Sequence, residues 1–210
     1  KLDERDDASL RREIEENGWS ITEMDPDGHC LYRAFSEQMY GTPMLHEQVR
    51  KNCCDYMENN STFFRNYITC DEYKCSNFQE VIHKKRRVDP NFVPEWGQHV
   101  DIIAISEMWN VQVIVYEWNR RKNVMQKTET GMSGDTRHLL PIIYLARHGG
   151  NHYNVIDVPD AVHARPLENF CLYHDGDEIR RLRLLEDSIK APVTGVNNAA
   201  PVGVADEVTT

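Results

Sequence analysis

The sequence predicts a mixed α/β (α+β) fold in which helices flank a small central sheet, and three observations carry that prediction. In several stretches of the first 110 residues, apolar side chains recur every three or four positions, the helical period. Short runs rich in Val, Ile and Tyr, which suit a buried strand, gather between residues 111 and 158. With 210 residues, the chain is long enough to close one sizeable core without metal or disulfide staples.

The elements follow in order. Asp7 to Asn17 combines good helix formers with acidic residues in the first turn and Gly18 where a helix would stop. "WSITEM" alternates bulk and polarity like an edge strand. "DPDG" is a turn, because Pro26 presets one torsion and Gly28 accepts conformations closed to other residues. "CLYRAFSEQMYG" places Leu31, Phe35 and Met39 on one helical face and ends at Gly41, so Cys30 begins a helix. A second amphipathic helix runs through "LHEQVRKNCCDYMENN", where Cys53 reads as a core residue beside Val49, Tyr56 and Met57. From Gln98 to Trp109 the helical period returns and leads into the buried strand "VQVIVYEW"; "IIYLAR" and "HYNVIDV" are two further strands around a glycine turn. Residues 1–158 are therefore expected to form one domain with its N-terminal helix. Residues 159–190 read as an extension whose helix lines up Ile179, Leu182, Leu185 and Ile189, and residues 191–210 as a disordered tail.

Composition narrows the function. A formal net charge of -10 argues against nucleic-acid binding, since a phosphate backbone would be repelled by most of this surface, and favours a partner with a basic face. No apolar stretch approaches the length that crosses a bilayer, so no membrane partner is expected. Six cysteines, two of them adjacent, do not make the pattern of a small secreted scaffold, and a reducing compartment, cytoplasmic or nuclear, is expected. Cys70, Cys75 and His83 lack paired CxxC spacing, so no metal site is assigned to them. The basic run "HKKRR" at residues 83–87 has two readings, a recognition patch and a solvated loop, of which the loop is the commoner for such runs.

The thiol at the head of a helix is the main chemical signal. Unpaired backbone N–H groups and the macrodipole there favour negative charge, which predicts a lowered pKa for Cys30 and donors for an oxyanion. His152 is the best-placed base, because it opens a strand directly after "HGGN". Two residues on, Asn154 projects to the same side of that strand and can hold the ring. Asp27, three residues before Cys30, is the rival orienter; being charged, it would stabilise an imidazolium more strongly. The other histidines read as surface or packing residues.

Four blocks, "DGHCLYRAFSEQMYG", "HEQVRKNCCDYM", "EWGQHVDIIAISEMWNVQVIVYEW" and "NHYNVIDV", resemble in order and separation the ovarian tumour (OTU) family of cysteine deubiquitinases, over about residues 7–158. The resemblance implies a fold related to papain-like proteases, with a mostly helical half packed on a small sheet. By position it makes Cys30 the nucleophile, His152 the general base and then acid, and Asp27 the third member of a triad. Gly28 and His29 would serve the oxyanion loop through their backbone N–H groups. It implies no metal and no organic cofactor. Its partners would be ubiquitin, polyubiquitin chains and ubiquitinated proteins, met by a monomer. The chain departs from the family at His29, where many relatives have asparagine, and at "EWGQHVDI", which replaces commoner paired glycines. The implied reaction is thiol-dependent hydrolysis of the isopeptide bond at the C-terminal glycine of ubiquitin. The alternatives are a ubiquitin-binding module of the same fold with little activity, and the same chemistry on another ubiquitin-like modifier.

Overall fold

Two apolar layers on opposite faces of one five-stranded sheet organise the computed structural model, which describes residues 2–89, 91–131 and 140–159. The chain begins with α1 (Leu2–Glu16), β1 (Ser20–Thr22) and α2 (Cys30–Tyr40). After a 3-10 turn at Pro43–Leu45 come α3 (His46–Asn59), α4 (Ser61–Phe64), α5 (Phe78–Arg86) and α6 (His99–Trp109). The strands β2 (Gln112–Asn119), β3 (Val124–Thr130), β4 (Ile142–His148) and β5 (His152–Asp157) complete the described part.

The sheet order is β1-β5-β4-β2-β3, with β2 and β4 parallel and every other pair antiparallel. Because successive strand residues face opposite sides, one strand serves both layers. Ile143 and Leu145 of β4 join the larger core with Tyr32 and Phe35 of α2, Val49 and Cys53 of α3 and Ile105 of α6. Ala146 of β4 and Ile156 of β5 meet Leu10 and Ile14 of α1 on the other face. Full burial of such aliphatic side chains contributes roughly 1.5–3 kcal/mol each, which fixes α1 to the back of the sheet.

The predicted mixed architecture is found, and so are the edge strand at Ser20, the helix that Cys30 begins and the hairpin of β4 and β5. The N-terminal helix starts earlier than Asp7, at Leu2. Strand β3 was not foreseen, because "VMQKTET" sits mostly exposed at the sheet edge and carries no alternation of burial to betray it. The basic run requires a correction. It belongs to α5, whose N-cap Asn77 accepts a hydrogen bond from the Glu80 N–H, and Lys85 within it is fully buried against Asp101. A buried acidic partner, distant in sequence, overrides the solvation that a basic run otherwise implies. The expected helix through Asp177–Lys190 and the expected tail lie outside the described residues. Among the described residues the five cysteines are free, and no helix is long and apolar enough to cross a membrane.

Candidate active site

The turn before α2 is shaped by one glycine and held by three charged side chains. Gly28 has φ +84, a left-handed conformation that other residues adopt at a cost, and a Cβ there would lie 2.6 Å from Pro94 Cγ. Asp27 accepts hydrogen bonds from Arg33 Nε at 2.9 Å and Nη2 at 2.6 Å through one oxygen, and from the His29 N–H at 2.9 Å through the other. Burial opposes ionisation of Asp27, yet the Arg33 guanidinium and the His29 N–H together hold its carboxyl below the usual range. From below, the buried Arg50 donates to the carbonyls of Gly28 at 3.1 Å, Lys85 at 2.9 Å and Glu95 at 2.8 Å. The Gly28–His29 peptide is therefore gripped at both its N–H and its C=O.

Arg50 belongs to a sealed polar cluster. Its guanidinium lies 4.1 Å from the Tyr32 ring centre, and the Tyr32 hydroxyl donates to Asp101 Oδ1 at 2.9 Å. Lys85 Nζ donates to Asp101 Oδ2 at 2.9 Å, with both side chains wholly inaccessible. The Asp101 carboxylate also accepts the Gln98 N–H at 2.7 Å, starting α6. Burial pulls on the Lys85 ammonium, but Asp101 more than compensates and its pKa rises.

Cys30 lies at the first position of α2 and is 7% exposed. Its Sγ–H points toward the Asn151 carbonyl at 4.0 Å, and the backbone N–H of Tyr153 also reaches the sulfur, so the thiol meets the main chain on both sides of His152. The predicted lowering of the thiol pKa is not what the structure gives. Burial pushes it up, and the N–H groups of Tyr153, Leu31 and Cys30 itself oppose that only in part, while the Asp27 charge adds to the rise. The helix terminus acts as expected; what the sequence concealed is how little water reaches the sulfur.

The imidazole is held by a neutral amide. His152 Nε2 lies 3.0 Å from Asn154 Oδ1, and the same oxygen accepts the Met24 N–H at 2.9 Å. Asn154 Nδ2 donates to the Glu23 carboxylate. An oxygen that already accepts a backbone N–H requires Nε2 to be the protonated nitrogen, which leaves the Nδ1 lone pair as the base. The structure thus brings Cys30 to the strand of His152 and pairs His152 with Asn154, while Asp27 is engaged by Arg33 and the His29 N–H. Asp27's hydrogen bonds differ from those expected of a third triad member, because its carboxylate closes the turn it sits in. Likewise the His29 N–H, expected to line the oxyanion loop with that of Gly28, is occupied by Asp27. Sequence reasoning missed Glu23 and Met24; only the pairing Thr22↔Val155, which sets Glu23 opposite Asn154, brings them into range.

His29 and His46 lie with ring centres 4.9 Å apart and planes tilted by 55°. Burial, then Arg50 and His46, push His29 down to about 4, and burial lowers His46 as well, so neither ring carries charge near neutrality. The "EWGQHVDI" segment packs on the start of α2: a Cβ at Gly97 would come within 2.4 Å of Leu31 Cδ2, and Trp96 stays half exposed. Trp96 and Gly97 join Glu72, Glu117, Asn151 and Tyr153 in lining a cavity of about 550 Å³. Among the described residues no group of three or more His, Cys, Asp or Glu is arranged to hold a metal ion.

A thiol thus heads a central helix and faces a strand that carries a histidine and an asparagine two residues apart. The family model described as OTU-like cysteine protease matches residues 25–153, and the chain belongs to that family. It is 32% identical over 146 residues to OTU domain-containing protein 5 of Homo sapiens, an alignment covering 70% of this chain and 24% of that protein. It is 34% identical over 143 residues to ovarian tumor domain-containing deubiquitinating enzyme 6 of Arabidopsis thaliana, covering 68% of this chain and 25% of that one. The chain thus spans about a quarter of the length of these curated relatives. Among solved structures, the OTUD1 OTU domain matches with a TM-score of 0.62 at 19% identity over 73% of this chain and 95% of that one, which establishes the fold.

Proposed function

We propose that this chain is a deubiquitinase that hydrolyses isopeptide bonds at the C-terminal glycine of ubiquitin. The observation that carries the reading is the placement of the Cys30 thiol against the main chain on either side of His152, whose free Nδ1 is assigned by its bond to Asn154. The name of the Arabidopsis relative, a deubiquitinating enzyme, supports the substrate class.

The chemistry follows from these groups. With a raised pKa the resting thiol is protonated, so attack on the scissile carbonyl and transfer of the S–H proton to His152 Nδ1 belong to one event. The oxyanion is received by the backbone N–H groups of Cys30 and Gly28 in a site with little water. The imidazolium, steadied by Asn154, then gives its proton to the departing lysine amine and leaves a thioester. Neutral His152 draws a proton from water, which hydrolyses the thioester and frees ubiquitin. Asp27 acts in this scheme by holding the turn rather than the ring.

The test is a gel assay on linked ubiquitin chains. The wild type releases monomers, and Cys30→Ala loses nearly all turnover while its melting transition stays in place. Full turnover by folded Cys30→Ala would remove the reading.

A further inference from the structure

The asparagine beside the candidate base is itself held in one orientation, and the residue that holds it has no part in the chemistry derived above. An asparagine amide fits its site in two ways that exchange oxygen and nitrogen, and the two instruct a neighbouring imidazole oppositely. With oxygen toward His152, Nε2 must donate and Nδ1 is left as the base. With nitrogen toward His152, Nε2 must accept, and the proton moves to Nδ1, the position from which the thiol proton is to be taken.

Two contacts select the first arrangement. The Met24 N–H can only donate, and it points at Asn154 Oδ1. The Glu23 carboxylate can only accept, and it receives Asn154 Nδ2. Neither contact is a local accident. The antiparallel register of β1 and β5 puts Glu23 directly across from Asn154, whose side chain is fully buried. Glu23 is in turn fixed from the back of the sheet, where Arg11 of α1 pairs with its other oxygen. Burial disfavours the Glu23 charge, but the hydrogen bond and charge of Arg11, with His148 and Asn154, keep its carboxyl below the usual range and therefore an acceptor.

We propose that Glu23 is a positioning residue that sets the amide of Asn154 and, through it, the tautomer of His152, and that Arg11 makes the docking of α1 part of that setting. This rests on the cysteine-hydrolase reading for its effect on rate, but the tautomer itself is a property of the free protein. Without Glu23 the Met24 N–H remains, so the correct amide is still preferred but no longer exclusive. The loss should be partial and should fall on kcat, because no contact to substrate is removed.

The experiment combines 15N NMR of the His152 ring in the unliganded chain with steady-state cleavage of a ubiquitin C-terminal substrate. The wild type should report a single Nε2–H tautomer. Glu23→Ala should report mixed tautomers and a kcat about tenfold lower with KM little changed. Glu23→Gln, whose amide oxygen can still accept from Asn154, should restore the single tautomer and most of the rate even if the alanine variant folds poorly. Arg11→Ala should lie between wild type and Glu23→Ala, and Arg12→Ala, which loses only a surface contact to Glu16 at 3.8 Å, should match wild type. A wild type with the proton on Nδ1, Glu23→Ala with an unmixed Nε2–H ring, or Glu23→Gln as mixed as the alanine variant would each overturn the proposal. A wild type with the expected tautomer but no cleavage would instead reject the deubiquitinase reading and leave the positioning of the ring established.

Discussion

The two halves of the molecule hold the proposed nucleophile and base by opposite means. On the helical side, the turn before Cys30 rests on a sealed cluster of full charges, Arg50, Lys85 and Asp101, from which water is excluded. On the sheet side, His152 rests on a neutral amide, and the charges that secure that amide, Glu23 and Arg11, stand partly in solvent. Sealed charges cannot be removed singly without leaving a partner stranded, so they make the thiol's position a condition of folding. A hydrogen-bonded amide with screened charges behind it can be altered while the fold survives. The helical side therefore trades adjustability for rigidity, and the sheet side does the reverse.

The comparison breaks most easily at its rigid end. Asp101→Ala strands the Lys85 ammonium and removes acceptors from Tyr32 and the Gln98 N–H, and a buried pair broken on one side typically loses about 3–5 kcal/mol. Urea unfolding measures this directly; a loss below about 1 kcal/mol would mean that water reaches the cluster and that the two halves do not differ.

The second prediction sharpens the sheet side. If the amide orients the ring, Asn154→Ala should lower kcat by about 100-fold or more, with the fold retained, since loss of the correct tautomer is costly in comparable triads. Asp27→Ala should lower it less, through a loosened turn. Steady-state kinetics on both variants decides, and a reversed ranking would return the third position of the triad to Asp27.

The smallest effect lies where the halves meet. Because burial raises the Cys30 pKa, alkylation of the free chain by iodoacetamide at pH 7 should be slower than that of a small exposed thiol. The rate should go on climbing with pH beyond the ordinary thiol range, because the thiolate fraction is still increasing there. Fast alkylation that levels off near neutrality would show that the helix terminus and imidazole outweigh burial.

Much of the fold is legible in the sequence. The 3.6-residue period placed α2, α3 and α6, and β-branched runs placed β2, β4 and β5, because each signal is local and each element buries one face. What failed was also physical. The run at residues 83–87 looked solvated because its partner, Asp101, lies 16 residues beyond Lys85. The thiol looked activated because a helix terminus is visible in sequence whereas the depth of burial is not. Cys30 and His152 could be singled out by type and position, yet the choice between Asp27 and Asn154 stayed open, since strand spacing favours the amide and charge favours the carboxylate.

The sequence by itself determined the order of helices and strands, the left-handed turn at Gly28 and the residues that carry sulfur and imidazole, because local sterics and periodic burial act over a few residues. Only the tertiary structure decided which group holds the ring, how protonated the thiol rests and that Glu23 stands behind Asn154. Those depend on strand register and on exclusion of water, and both arise when segments more than 100 residues apart are pressed together.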